Sequence, residues 1–357
     1  MGNTLIFPCC VPDAELYAEE ARQRGERIVA ASSLAFDPTA SKFETWFSLP
    51  YVHDVEFFQN VQDAIKKHDI ERIYCPVTAA YIVLSRLVAE AKLPVRIISE
   101  MPLLRLARRH RNLMTSAVES HDFIQQIAGG RSPLTQLEVA SILHASLSIF
   151  GESDKAKLAA LMAVFADAPN GDVIEIGVLA GRSAATLALA AQRHKTGTVL
   201  VVDPWSVTGR VQASAHPDLQ APVDGWHPAI AFESFVVALL PIAQEGHFNY
   251  LAMPSTQAHA TWYQQRKVIT PEFGEACYSS LISVLHIDGN HDYRWVSEDC
   301  ATWLPHLAPG GWLILDDYLW LHGDGPKRVG NELLAQRAKS IQRAFCCGNA
   351  LFVRFGE

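Results

Sequence analysis

Short apolar runs alternate with segments of helical spacing along the first hundred residues. The apolar runs predict strands over residues 4–7, 27–31, 73–75 and 95–98, and the spaced segments predict helices over residues 14–24 and 55–68. Strands that alternate with helices are typical of a parallel sheet covered on both faces. Residues 1–102 are therefore expected to form a small, Rossmann-like α/β domain. No glycine-rich phosphate turn follows its first strand, so the fingerprint of a nucleotide-binding domain is missing and the role of this domain is unknown.

Helical spacing continues over residues 103–168, which are expected to form a bridge to a second domain over residues 169–357. Residues 103–117 are strongly basic, a pattern that favours a solvated helix face and leaves contact with an anionic ligand as the alternative. Two glycines and a proline in residues 129–133 interrupt the bridge, and we expect the domain boundary near them.

A buried strand, a glycine turn and a helix follow one another from residue 173 to residue 192. Gly177 and Gly181 let the backbone approach a ligand closely, and the helix N-terminus offers free amide groups to a carboxylate. The turn has the pattern ExGxxxG, and Glu175 would repel the pyrophosphate that a GxGxxG turn binds. Glu175 can instead accept hydrogen bonds from an ammonium group, so the turn suits an amino-acid ligand. Asp203 ends the next strand, about twenty residues further on, where it can bind ribose hydroxyls, and Trp205 can lie against an adenine ring.

Three carboxylates follow two later apolar runs: Asp288 follows the first, and Asp316 and Asp317 follow the second. Because parallel strands present their carboxyl ends at one edge of a sheet, these acids are expected to converge near the ligand that the glycine turn binds. Clustered carboxylates repel one another unless a cation is present, and oxygen ligands suit Mg²⁺ or another hard divalent ion. A turn-forming role for the first acid and a helix-capping role for the pair are the structural alternatives. His286, inside the preceding strand, is expected to be a core histidine.

These motifs resemble those of class I S-adenosylmethionine (SAM)-dependent methyltransferases over residues 170–335, under half of the chain. The segments HIDGNHDY and PGGWLILDDY are similar to the macrocin O-methyltransferase-like group, which methylates sugar hydroxyls, and to catechol-type O-methyltransferases. The resemblance implies that Asp288, Asp316 and Asp317 hold the metal. It also implies that Asp288 and His291 form the catalytic site, where the histidine removes the proton of the acceptor hydroxyl.

Two serines complete the site that the resemblance implies. Ser183, which closes the glycine turn, matches a position that binds the SAM carboxylate, and Ser255 falls where the adenine-side loop is expected. Residues 206–227 form a long, proline-containing stretch that is expected to be either a lid over the site or a plain surface insertion.

Composition narrows the class of protein further. With 49% hydrophobic and 19% charged residues, the chain is not mainly disordered. Thirty basic and 38 acidic residues give a net charge of −8, which disfavours a nucleic-acid partner held by charge. No apolar run is long enough to span a bilayer, and the first six residues lack the basic segment of a secretory signal. The seven cysteines form no CxxC motif and indicate reduced thiols, so we expect a cytoplasmic protein without a membrane partner.

The sequence therefore predicts an α/β enzyme that transfers a methyl group from SAM to a hydroxyl of a small molecule, such as a sugar, polyketide or phenol, with assistance from Mg²⁺. Related methyltransferases often pair, so a homo-oligomer is compatible with this interpretation. Two alternatives remain at this point. One is an NAD-dependent oxidoreductase, against which the absence of GxGxxG counts. The other is a SAM-binding scaffold without turnover.

Overall fold

The computed structural model describes residues 2–206 and 227–356. The chain divides into two compact units, Met1–Asn112 and Leu113–Glu357. The predicted division into three parts, at residues 102 and 168, stays a prediction. The predicted lid lies outside the described residues, apart from its first and last positions. Within the described ranges, the longest helices lack the continuous apolar length that crossing a membrane requires.

The N-terminal unit is built around a five-stranded sheet in the order β3-β2-β1-β4-β5, with every neighbouring pair parallel. Its elements are β1 (Asn3–Ile6), α1 (Pro12–Gln23), β2 (Ile28–Ser32), β3 (Trp46–Ser48), α2 (Phe57–Lys67), β4 (Ile70–Tyr74), α3 (Thr78–Glu90) and β5 (Arg96–Ile97). The predicted α/β character is confirmed. The apolar runs do not predict β3, a three-residue edge strand in which two residues are partly buried and one is exposed.

Three helices follow: α4 (Pro102–Ala128), α5 (Gln136–Leu147) and α6 (Lys155–Val164). The division between the two units falls inside α4. Thr135 caps α5 through a capping box with Glu138, and Asp154 caps α6 by accepting a hydrogen bond from the N–H of Lys157. Nearly every side chain of α6 is buried.

The C-terminal unit contains a seven-stranded sheet in the order β13-β14-β12-β11-β6-β7-β8, in which β14 runs antiparallel to both of its neighbours. A separate antiparallel hairpin consists of β9 and β10. The elements are β6 (Asp172–Ile176), α7 (Arg182–His194), β7 (Val199–Val202), α8 (Pro228–Leu239), β8 (Phe248–Leu251), α9 (Ser255–Gln265), β9 (Lys267–Thr270), β10 (Gly274–Cys277), β11 (Ile282–Ile287), α10 (Tyr293–Trp303), β12 (Leu307–Leu315), α11 (Gly325–Gln336), β13 (Ile341–Cys347) and β14 (Ala350–Phe355).

The central strands of this sheet are buried along their whole length, as expected for strands covered on both faces. The register of these strands aligns their carboxyl ends, which border the candidate site. Ile287 of β11 pairs with Ile176 of β6 on one side and with Leu315 of β12 on the other. The residues that follow these three strands therefore emerge at the same level of the sheet, which positions the candidate site.

Candidate active site

The glycine turn between β6 and α7 packs tightly against other parts of the chain. Gly177 has φ +83°, and a Cβ atom at this position would lie 2.0 Å from the carbonyl oxygen of Asp288. Gly181 has φ +95°, and its Cβ would lie 2.6 Å from Leu239 at the end of α8. Both positions therefore require glycine for close contacts within the protein. That they also admit a cofactor stays a prediction.

Asp203, directly after β7, is brought onto the glycine turn. Its Oδ2 accepts hydrogen bonds from the N–H groups of Val178 (2.8 Å) and Leu179 (3.2 Å), and its Oδ1 accepts one from the N–H of Trp205 (2.7 Å). An ionised carboxylate has about four acceptor positions, so the donors among the described residues leave capacity for one more. The predicted ribose carboxylate and the predicted turn thus form one rigid unit.

Trp205 is held by this unit and by a group of aromatic rings. Its indole Nε1 donates to the carbonyl oxygen of Leu179 (2.9 Å), and its ring lies 5.0–5.9 Å from the rings of Phe232, Phe235 and Tyr250. The side chain is half-buried. Its predicted contact with adenine stays a prediction, and these contacts restrict the positions that the ring can take.

The two predicted serine positions both lie at helix starts. Ser183 is buried in the first turn of α7, near the free amides of that turn. Ser255 is the first residue of α9, and its Oγ accepts a hydrogen bond from Trp303 Nε1 (2.8 Å). Asp299, on the same helix as this tryptophan, is buried, and burial raises the pKa of its carboxyl to about 6. The hydroxyl of Ser255 therefore already serves the internal packing of α9 and α10.

Glu175 and His286 form a buried pair across neighbouring strands. They are register partners in β6 and β11, both are 0% exposed, and His286 Nδ1 lies 2.9 Å from Glu175 Oε1. Glu175 Oε2 has no hydrogen-bond partner among the described residues, and neither has His286 Nε2, which lies 3.9 Å from Asp288 Oδ2. The predicted ammonium-binding glutamate thus has one oxygen free. His286, which the sequence predicts to be a core histidine, is buried. It lies between Glu175 and Asp288 of the acidic cluster.

The three predicted metal-binding acids come together at the ends of β11 and β12. Potential ligand atoms of His286, Asp288 and Asp316 lie within 4.8 Å of one another, and so do those of Asp288, His291 and Asp317. Asp288 belongs to both groups and joins them. His291 Nε2 lies 3.0 Å from Asp317 Oδ2 and 3.9 Å from Asp288 Oδ1. The convergence that the strand pattern predicts is present.

The sequence analysis missed a cation in this cluster. Lys157, in the first turn of α6, is 3% exposed, and its Nζ lies 3.2 Å from Asp288 Oδ2 and forms an ion pair with Asp316. The signal in the sequence is the segment KAKLAALMAV, in which a lysine shares a helix with residues that leave no polar face. Lysine is rarely buried unless it is paired with an acid, so this pattern indicates a buried ion pair.

Opposite charges set the protonation states in the cluster. Burial and the charge of Asp316 raise the pKa of Asp288 to about 6, against the opposing effect of Lys157. Although burial acts in the other direction, the Lys157 ammonium group holds the pKa of Asp316 well below its usual range. The carboxylates of Asp288 and Asp317 outweigh burial at His291 and raise its pKa to about 10. Without a metal ion, Lys157 and His291 are therefore both cationic at neutral pH.

The chemistry of these side chains fits a hard divalent ion. Asp288, Asp316 and Asp317 supply carboxylate oxygens, the ligands that Mg²⁺ prefers, and the two groups share Asp288. His286 and His291 each belong to one of these groups: His286 Nε2 has no hydrogen-bond partner among the described residues, and His291 Nε2 is paired with Asp317. The fit has one complication: the Lys157 ammonium group contacts Asp288 and Asp316 from the side of α6.

Comparison with known proteins agrees with this architecture. A family model described as a methyltransferase domain matches residues 174–318, from β6 to just beyond β12. No curated protein matches the chain. This match agrees with the prediction of a methyltransferase domain in the C-terminal half. The NAD-dependent alternative is not supported.

Solved structures also resemble the chain at low sequence identity. The O-methyltransferase NovP is 16% identical, with 68% of this chain and 100% of that chain covered and a TM-score of 0.39. CalS11, the calicheamicin methyltransferase, is 15% identical, with 67% and 93% covered and a TM-score of 0.39. MycE, from the mycinamycin biosynthetic pathway, is 14% identical, with 53% and 45% covered and a TM-score of 0.32.

Proposed function

We propose that the protein transfers the methyl group of SAM to a hydroxyl oxygen of a small molecule. One observation carries this proposal: the glycine turn with Asp203 and the carboxylates of Asp288, Asp316 and Asp317 lie at the same edge of one sheet. In open α/β sheets, ligands bind outside the carboxyl ends of the strands. A methyl donor and an acceptor held at this edge would therefore be neighbours.

The residues around the turn are suited to each part of SAM. The remaining acceptor position of Asp203 suits a ribose hydroxyl, and the free Oε2 of Glu175 suits the ammonium group. The amide groups at the start of α7, with Ser183 beside them, suit the carboxylate of the methionine moiety. Gly177 and Gly181 shape the turn, while Trp205 and Ser255 border the expected adenine side.

The acidic cluster supplies what a hydroxyl acceptor needs. An alcohol is a poor nucleophile at neutral pH because it holds its proton tightly. Asp288, Asp316 and Asp317 would hold a divalent ion, which would supply the charge that lowers the pKa of such a hydroxyl. In this proposal, His291 takes the proton. It does so only when the charges of Asp288 and Asp317 are offset, since otherwise these acids keep it protonated. The methyl carbon then bonds to oxygen as its bond to sulfur breaks, which yields a methyl ether and S-adenosylhomocysteine.

The acceptor in this proposal is a small molecule that carries one or two neighbouring hydroxyls, such as a sugar, a polyketide or a phenol. Alignment of oxygen, methyl carbon and sulfur is the main task of such a site, and positioning of this kind is worth about 7–11 kcal/mol. Neither a nucleic acid nor a membrane is part of the proposal. A cytoplasmic location and a homo-oligomer stay predictions.

Calorimetric titration of SAM into EDTA-treated protein, with and without Mg²⁺, tests the proposal. We expect SAM to bind in both conditions. The Asp203→Asn variant should bind it about 10- to 100-fold more weakly, because a charge-assisted hydrogen bond is lost at the ribose. The Asp317→Asn variant should keep SAM affinity within about threefold and lose Mg²⁺ binding.

A panel of sugar, catechol and polyketide acceptors, followed by S-adenosylhomocysteine release, tests turnover in the same preparations. Absence of SAM binding by the unmodified protein would overturn the proposal. Full SAM binding without transfer to any acceptor would favour the SAM-binding scaffold.

A further inference from the structure

Lys157 is an unusual residue for its position. Among the residues that the structure describes, it is the one lysine that is buried. It lies in the first turn of α6, where its own N–H is bonded to the capping carboxylate of Asp154 (2.7 Å). The N-terminus of a helix carries partial positive charge, so a cation in the first turn weakens the helix. Helix stability therefore does not explain a lysine here.

The carboxylates that Lys157 contacts explain its position. Its Nζ lies 3.2 Å from Asp288 Oδ2 and is also paired with Asp316. These side chains are 24% and 9% exposed, and the lysine side chain is 4% exposed. Burying two carboxylates close to each other costs free energy unless a cation offsets their charge. The ammonium group supplies that charge from an element 131 residues away from Asp288.

We propose that Lys157 is the resident counter-cation of the carboxylate cluster and competes with a divalent ion for Asp288 and Asp316. The inference rests on the proposed function, in which these acids bind the ion. An ammonium group and a Mg²⁺ ion both bind carboxylate oxygens, and Lys157 Nζ already contacts Oδ2 of Asp288 and Oδ2 of Asp316. Lys157 thereby stabilises the ion-free protein and lowers the affinity of the site for the ion.

The competition predicts tighter ion binding when the ammonium group is removed. We expect the Lys157→Met variant of the full chain to bind Mn²⁺ at least about tenfold more tightly than the unmodified protein, because a positive charge beside the ligands is lost. Mn²⁺ is chosen because its electron paramagnetic resonance signal reports free ion directly, without any assay of activity. Ion-free Lys157→Met should also melt at a lower temperature, and Mn²⁺ should raise its melting temperature more than that of the unmodified protein.

Lys155→Met is the matched control. Lys155 is exposed on the same helix and donates to Ser116 Oγ (2.8 Å), so its removal changes the charge of the chain equally without entering the cluster. Its Mn²⁺ affinity should stay within about twofold of that of the unmodified protein. If both lysine variants gain equal Mn²⁺ affinity, the gain comes from the changed net charge of the chain, and the proposal is overturned.

A second pair of variants covers the case in which Lys157→Met does not fold. The double variant Lys157→Met/Asp316→Asn removes one charge of each sign, and it should bind Mn²⁺ more tightly than the single variant Asp316→Asn. The proposed competition is overturned if replacing Lys157 leaves the Mn²⁺ affinity unchanged or weakens it, in the unmodified chain or in the Asp316→Asn variant. If the unmodified protein binds SAM and transfers methyl groups in that case, the proposed function stands and only this inference fails.

Discussion

The parallel strands of the two sheets lead into different kinds of side chain at their carboxyl ends. In the N-terminal unit, β1 and β4 lead towards Cys9 and Cys75, two buried thiols. Burial raises the pKa of Cys9 to about 11 and that of Cys75 to about 12, so both are neutral at physiological pH. In the C-terminal unit, β11 and β12 lead directly into Asp288 and Asp316, which face a buried lysine. Neutral thiols need no counter-charge, whereas buried carboxylates do.

This difference shows why topology alone does not identify an active site. Both sheets have the strand arrangement that places loops at one edge. Among the described residues, the two groups of acids and histidines that could hold a metal ion both lie at the edge of the C-terminal sheet. The penalty for burying an ion is several kcal/mol even after relaxation, so a fold gains little stability from such a cluster. The cluster is therefore the feature that separates the C-terminal unit from the N-terminal unit, whose role stays unknown.

The largest expected effect comes from the acid that joins the two halves of the cluster. Replacement of Asp288 by Asn keeps its shape and removes its charge, and turnover should fall at least about a thousandfold while SAM affinity stays within about threefold. Turnover is measured by S-adenosylhomocysteine release and affinity by calorimetry. Asp37→Asn is the control in the N-terminal unit, since Asp37 bonds only to groups of that unit such as Thr39. Turnover within tenfold of normal in Asp288→Asn would contradict the assignment.

The next effect concerns the glycine turn and compares one position in each unit. Gly177→Ala combines a left-handed backbone with a 2.0 Å contact to Asp288, and we expect a loss of about 2–4 kcal/mol in the free energy of unfolding. Gly25→Ala, at φ +72° with nothing within 4 Å of its Cβ, should lose only about 1 kcal/mol. Urea denaturation of both variants measures the difference. Equal losses would mean that the turn tolerates the added methyl group.

The smallest effect is a pH dependence that has opposite signs in the two units. The pKa of His291 is raised from 6.5 to about 10, so its stabilising contribution is complete below pH 6.5 and is lost as the pH rises towards 10. Between these pH values, ion-free protein should lose on the order of 1–3 kcal/mol that the His291→Gln variant does not lose. Urea denaturation in EDTA at several pH values gives the comparison.

His68 in the N-terminal unit provides the control. Burial lowers the pKa of this histidine, so its contribution is present above pH 6.5 and is lost as the pH falls. The His68→Gln variant should therefore match the unmodified protein between pH 6.5 and 10. If His291→Gln and the unmodified protein also lose stability in parallel over this range, the raised pKa of His291 is wrong.

Much of the C-terminal site was predictable because it follows from periodicity. Apolar runs mark buried strands, and the residues directly after parallel strands meet at one edge, so Asp203, Asp288, Asp316 and Asp317 were placed there correctly. The N-terminal α/β fold was predictable for the same reason. The division between the two units lies inside α4, whose 27 residues include no glycine and no proline after the first position, so no helix breaker marks it. The predicted boundaries at residues 102 and 168 stay predictions.

Only the tertiary structure decided which side chains neutralise and orient those acids. Lys157 meets Asp316 across 159 residues of sequence, and Glu175 meets His286 only because β6 and β11 align in one register. Local pattern carries no information on register or on the approach of a distant helix, since both depend on how the whole core packs. The sequence by itself thus determined the sheet, the turn and the row of acids. The packing of α6 against the sheet determined the charge that those acids face.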